Sequence, residues 1–110
     1  MLKVALAALA LAACQSYDVS RSLGARCDTG NDCDDKCLGP GSDWPGGFCT
    51  TDCSDDGSCA SGARCIAEDD GVCAFGCSGD PDCTFLGSGY TCQLVDPKTG
   101  GLKVMICHGG

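Results

Sequence analysis

The sequence predicts a small disulfide-rich fold of three tandem four-cysteine repeats, made of short β-hairpins and turns, and three observations predict it. Thirteen of the 110 residues are cysteine, above the ~8–10% that marks a disulfide scaffold. Long apolar side chains are scarce beyond residue 13. Such a chain buries too little apolar surface to offset its conformational entropy, whereas each native bridge contributes roughly 2–5 kcal/mol. Twelve of the cysteines fall into three sets: Cys27, Cys33, Cys37, Cys49; Cys53, Cys59, Cys65, Cys73; Cys77, Cys83, Cys92, Cys107. Each set opens C-x5-C, three residues join one set to the next, and the later gaps vary as loops do. The repeats are 27–52, 53–76 and 77–107, within a cysteine-rich domain spanning 27–110.

The elements follow in order. The first gaps read DTGND, SDDGS and SGDPD, which are turn formers, so each is expected as a single helical or turn-like coil. Asp80–Pro81 has the look of an N-cap followed by proline at the first helical position. The last gap of each repeat reads as a hairpin. In repeat two a turn over Glu68–Gly71 separates Cys65-Ile-Ala from Val72-Cys73. In repeat three Asp96–Gly101 separates Cys92–Val95 from Leu102–Cys107, the best strand pattern in the chain. In repeat one the loop is longer, LGPGSDWPGGF from Leu38 to Phe48. If each repeat closes on itself, three pairings per unit remain open. Joining third to fourth would clip the hairpin and leave the turn untied. The interlaced pairing ties turn to hairpin and is the expected one: Cys27–Cys37, Cys33–Cys49, Cys53–Cys65, Cys59–Cys73, Cys77–Cys92 and Cys83–Cys107.

Disulfides persist in an oxidising compartment, and the N-terminus carries an independent export signal. Lys3 is followed by a run of Val, Ala and Leu from Val4 to Ala13. That run is shorter than the roughly 20 residues that span a bilayer and fits the apolar core of a secretory signal peptide. Residues 1–13 are therefore expected to be removed, and little helix is expected outside them. Leu11-Ala12-Ala13-Cys14 resembles the bacterial lipobox, in which cleavage precedes a cysteine that becomes lipidated. Parity supports Cys14 as the lipidated residue: of thirteen cysteines it is the odd one, and its lipidation leaves an even twelve. An ordinary cleavage near Ala12 would leave an unpaired thiol. Several acyl chains give durable attachment at ~0.8 kcal/mol per buried methylene, and Gln15 in place of Asp at the following position suggests the outer membrane by analogy. Residues 14–26, the lipidated cysteine and QSYDVSRSLGAR, read as a tether, unless Leu23 anchors part of it on the first repeat. Loss of Lys3 leaves 15 acidic and 6 basic residues, a formal charge of −9. This argues against nucleic acid and anionic head groups as partners.

In its lipobox-like Leu11–Cys14, short tether, C-x5-C repeats and W-P-G-G-F-C stretch, the chain resembles the small cysteine-rich lipoproteins of myxobacterial-type genomes. The cysteine spacing is also similar to the N-terminal cysteine-rich region of Dickkopf proteins and, more loosely, to EGF-like modules. The resemblance covers residues 11–14 and 27–107. It implies a scaffold type and a location, and carries no catalytic residue.

Candidate chemistry is sparse. Structural zinc sites show close C-x2–4-C pairs, whereas x5 dominates here, so disulfides are expected and no cofactor or metal. The acidic clusters at Asp32–Asp35, Asp55–Asp56, Glu68–Asp70 and Asp80–Asp82 do not match a calcium loop and read as turn residues. His108, the only histidine, is expected at a frayed end. No G-x-S-x-G, H-E-x-x-H, phosphate loop or C-x-x-C is present, so no catalytic residue is assigned. Trp44 and Phe48 in the long loop are either recognition anchors or a lid over a disulfide. Phe75, Phe85 and Tyr90 read as packing between repeats, and the whole as three stacked repeats in a rod. The expected function is a non-enzymatic, membrane-anchored surface lipoprotein on the outer membrane, presenting a binding or structural module to an extracellular protein or glycan, with no nucleic acid partner. The alternative is an inhibitor or toxin-like effector that inserts the 38–48 loop into a partner.

Overall fold

The computed structural model describes residues 19–110. The expected signal peptide 1–13, the lipobox-like Leu11–Cys14 with its expected lipidation, and residues 15–18 lie outside the described residues. Within them the chain forms three two-stranded antiparallel sheets, one per repeat. These are β1 Lys36–Leu38 with β2 Phe48–Thr50, β3 Ala63–Ile66 with β4 Val72–Phe75, and β5 Tyr90–Val95 with β6 Val104–Gly109. The first cysteine gap of each repeat holds a 3-10 coil: Gly30–Asp32, Asp56–Ser58 and Asp80–Leu86, the last running on past Cys83. Gly79, not Asp80, caps the last of these, and Asp80 lies inside it.

Six disulfides join first to third and second to fourth cysteine in every repeat. The third and fourth cysteines are nonetheless register partners across each hairpin: Cys37 with Cys49, Cys65 with Cys73, Cys92 with Cys107. Each hairpin thus carries two adjacent sulfurs on one face, and both reach down to the same acidic coil. A third extended stretch completes every unit. Cys49 N–H donates to Ala25, Cys73 N–H to the Thr51 carbonyl, and Cys77 N–H to the Met105 carbonyl. The residues before each first cysteine therefore line the strand that carries the fourth.

Acidic side chains hold the coils. Asp56 Oδ1 accepts from Cys65 N–H at 2.8 Å and Asp80 Oδ1 from Cys92 N–H at 2.9 Å, the same position in repeats two and three. Asp32 and Asp82, each directly before a second cysteine, accept from Asp28 and Ser78 N–H. The short Asp side chain reaches its own backbone, as an Asx turn requires. The cost of stacking so many like charges is limited because the carboxylates face solvent.

Two expectations change. The stretch expected as a tether is docked from Ser20 onward: Gly24 N–H donates to Cys49, Arg21 pairs with Asp34, and Leu23 is buried. The repeats are also not a rod in which each touches only its neighbours. Repeat three returns to repeat one, where Gly109 N–H donates to the Asp43 carbonyl and Tyr90 Oη–H to the Pro45 carbonyl. A β-carbon at Gly109 would run into the Ser42 carbonyl, so only glycine fits that contact. One shared core results, with Phe48, Ile66, Val72 and Ile106 wholly buried. Thr50, also wholly buried, satisfies its hydroxyl on the Cys73 carbonyl at 2.6 Å.

Candidate functional site

The long loop of repeat one does not display its aromatic residues. Trp44 is 5% exposed and Phe48 is 0% exposed. Phe48 opens β2 opposite Leu38 rather than sitting in the loop. The recognition-anchor reading of Trp44 and Phe48 is thereby corrected. A domain with few long apolar residues lacks core filler, and its largest rings provide it. Trp44 and Phe48 rings lie 4.8 Å apart, Phe48 meets Phe75 edge-on at 6.0 Å and Tyr90 at 6.5 Å, and Phe75 meets Phe85 at 5.0 Å. Phe75, Phe85 and Tyr90 therefore do pack between repeats. Burial pushes the Tyr90 phenol up to about 12.

One ring contact leads to the chemistry. Trp44 lies edge-on to His108 at 4.8 Å. His108 is 9% exposed, so it is not a frayed end: β6 runs through it to Gly109, opposite Thr91. Its Nε2 is 3.0 Å from Glu68 Oε2, and its Nδ1 is 2.7 Å from the Gly109 carbonyl oxygen. The other Glu68 oxygen accepts the Trp44 indole N–H at 3.2 Å. The single tryptophan, the single glutamate and the single histidine of the sequence, one from each hairpin, thus meet at one point. Asp43 adds a second, exposed carboxylate, and its oxygen lies within 4.8 Å of the Glu68 and His108 ligand atoms.

Local sequence explains how each arrives. Pro45 and Gly46–Gly47 turn the chain inward after Trp44, with the Gly47 amide donating back to the Trp44 carbonyl. Glu68 starts a turn in which Asp69 and Asp70 take left-handed backbone, at φ 51° and 65°; aspartate tolerates this region better than most residues. The bends leave Glu68 facing the seam, while Asp69 pairs outward with Lys36 at 2.8 Å. Lys36 also bonds Asp52 at 2.9 Å, and these two carboxylates raise its ammonium well above the ordinary lysine value.

The rest of the surface offers less. A shallow cleft between repeats two and three is lined by Arg64, Ser78, Asp82, Lys103 and Met105. Arg64 is paired with Asp56 and Lys103 with Asp96. All twelve cysteines from Cys27 to Cys107 are in disulfides, so their sulfurs are not free to ligate a metal. Among the described residues no helix is long and apolar enough to cross a membrane. No signal marked the Trp44–Glu68–His108 seam by spacing. Its one trace in the sequence is compositional: a lone Glu among fourteen Asp, where the extra methylene lets the carboxylate reach across a repeat boundary.

No family model matches the chain, and neither a curated protein nor a solved structure matches it.

Proposed function

We propose that the chain is a non-enzymatic lipoprotein of the bacterial outer membrane, anchored through Cys14, that presents a disulfide-stapled binding or structural face to an extracellular protein or glycan. The observation that supports this reading most is the way the domain uses its side chains. The rings from Trp44 to Tyr90 are packed inside, the cysteines are consumed in bridges, and the acids tie down coils. The result is a rigid scaffold rather than a cleft lined with reactive groups. Its exposed large apolar residues on the third hairpin are Leu94, Met105 and Leu102, at 61%, 38% and 92%. Leu94 and Met105 are register partners and share the outer face of β5–β6. These three replace Trp44 and Phe48 as the residues offered for contact.

The docked stretch after Ser20 sharpens the reading. Between Cys14 and Val19 the chain can extend at most about 17 Å, so a lipid on Cys14 would hold the domain against the membrane surface. The inhibitor reading is the weaker one, because with Trp44 and Phe48 inside, the exposed part of the 38–48 loop is Gly39–Asp43 and Gly46, with no large side chain to insert.

Intact-mass spectrometry of the protein from its native membrane, before and after reduction, tests the proposal. The expected result is a lipid adduct on a chain starting at Cys14 and a gain of twelve hydrogens, two for each of the six bridges. An unlipidated chain beginning elsewhere would overturn the anchor and the location together.

A further inference from the structure

The seam has an electrostatic problem. Two carboxylates, Asp43 and Glu68, and the imidazole of His108 present ligand atoms within 4.8 Å of one another. Among the described residues no lysine or arginine pairs with any of them. His108 Nδ1 faces the Gly109 carbonyl at 2.7 Å. A carbonyl only accepts, so Nδ1 carries a ring proton. In the neutral ring Nε2 then turns a lone pair toward Glu68 Oε2, 3.0 Å away. Two acceptors at that distance repel unless a cation or a second proton stands with them.

The surroundings favour the cation. Metal-bound histidine typically donates its other ring N–H to a carbonyl or carboxylate, and metal-bound carboxylates are themselves hydrogen-bonded from behind. Both braces are in place: the Gly109 carbonyl behind the imidazole, and the Trp44 indole N–H, at 3.2 Å, behind the Glu68 carboxylate. Tetrahedral ligands about 2.1 Å from a zinc ion lie roughly 3.4 Å apart. The Nε2–Oε2 separation of 3.0 Å is near that value. Asp43 is exposed and can close the remaining gap by rotating its side chain. One nitrogen and two carboxylates suit a transition ion and fall short of the six to eight oxygens that calcium takes.

We propose that Asp43, Glu68 and His108 Nε2 form a binding site for a divalent cation of the zinc class, which links all three repeats at the seam they share. The site stands apart from the anchor and from the outer face of β5–β6, so it can fail or hold independently of the surface-module reading.

Trp44, the only tryptophan, is a built-in reporter. Its ring lies 4.8 Å from His108, where a paramagnetic ion on Nε2 quenches indole emission. The test is titration of the metal-free full chain, disulfides intact, with Co2+. The expected result is saturable quenching at one equivalent, reversed when Zn2+ displaces the Co2+. Asp43→Asn should weaken the affinity at least tenfold, and His108→Gln should abolish saturable quenching. Absence of saturable quenching up to millimolar Co2+ overturns the site and leaves an imidazolium–carboxylate pair. An Asp43→Asn curve identical to the parent also overturns it. Asp43 has an exposed side chain, so this variant decides the question even if His108→Gln does not fold; mass before and after reduction checks that its six bridges are intact.

Discussion

The acidic coils and the aromatic seam hold the same molecule together by opposite means. In the coils the ties stay within one repeat: disulfides close loops with sequence separations from 10 to 24, and aspartates accept from amides of the same repeat. At the seam the ties cross from one repeat to another: Trp44 meets Glu68 across 24 residues and Glu68 meets His108 across 40. Local ties limit what the unfolded chain can do, and they repeat because each unit faces the same problem. Distant ties occur once, and they decide how the three units sit on one another.

The largest expected effect strikes the seam. Phe48 is fully buried and touches Trp44, Phe75 and Tyr90, so Phe48→Ala should cost about 3–5 kcal/mol, read by denaturant unfolding. If instead the cost is under about 1 kcal/mol, the repeats are independent and the seam is incidental. Next come the coils. Replacing Cys83 and Cys107 together by Ala opens a separation of 24 residues and should cost about 3.5 kcal/mol, whereas the Cys27 and Cys37 pair, at 10 residues, should cost about 0.7 kcal/mol less. Equal costs would show that native strain or packing, not loop closure, sets the contribution of a bridge.

Trp44→Phe separates the two roles of the indole. The ring remains and the N–H bond to Glu68 is lost, so a loss of about 1 kcal/mol is expected. A thermal melt within error of the parent would remove that hydrogen bond from the account.

The smallest effect comes from acid. Accepting from the Cys65 amide, with the Arg64 guanidinium beside it, holds the Asp56 carboxyl below its ordinary 3.8. Bonds from the Asp28 and Thr29 amides do the same for Asp32. A depressed folded value gives stability that is present above the unfolded value and is lost as pH falls through the folded one. Melting temperature should therefore decline only below about pH 4, and shallowly, because both groups face solvent. Asp56→Asn should flatten that decline; an unchanged slope would assign it to other carboxylates.

How much was legible follows from this division. The cysteine spacing carried the repeats, the hairpins and the coils, because each disulfide and each Asp cap joins residues close in the chain. Some details escaped at the edges. The third hairpin runs to Gly109, where β6 pairs with Tyr90 of β5 and bonds repeat one, and its loop is two residues longer because β6 starts at Val104. The docked stretch 20–26 showed no periodicity, because it joins by main-chain bonds to β2 that any residue can make. Trp44 and Phe48 fitted either an exposed anchor or a core ring, because glycine and proline surround them; those residues bend the loop so that the rings turn in.

What the sequence determined by itself is the count and order of three four-cysteine units and the hairpin in each. Only the tertiary structure decided that the units close on a common core, that Trp44 and Phe48 belong to it, and that Glu68 meets His108. The reason is physical. A bridge or a cap between near neighbours leaves a spacing in the chain, whereas a contact between single residues far apart leaves no period and exists only once the surrounding surfaces have packed.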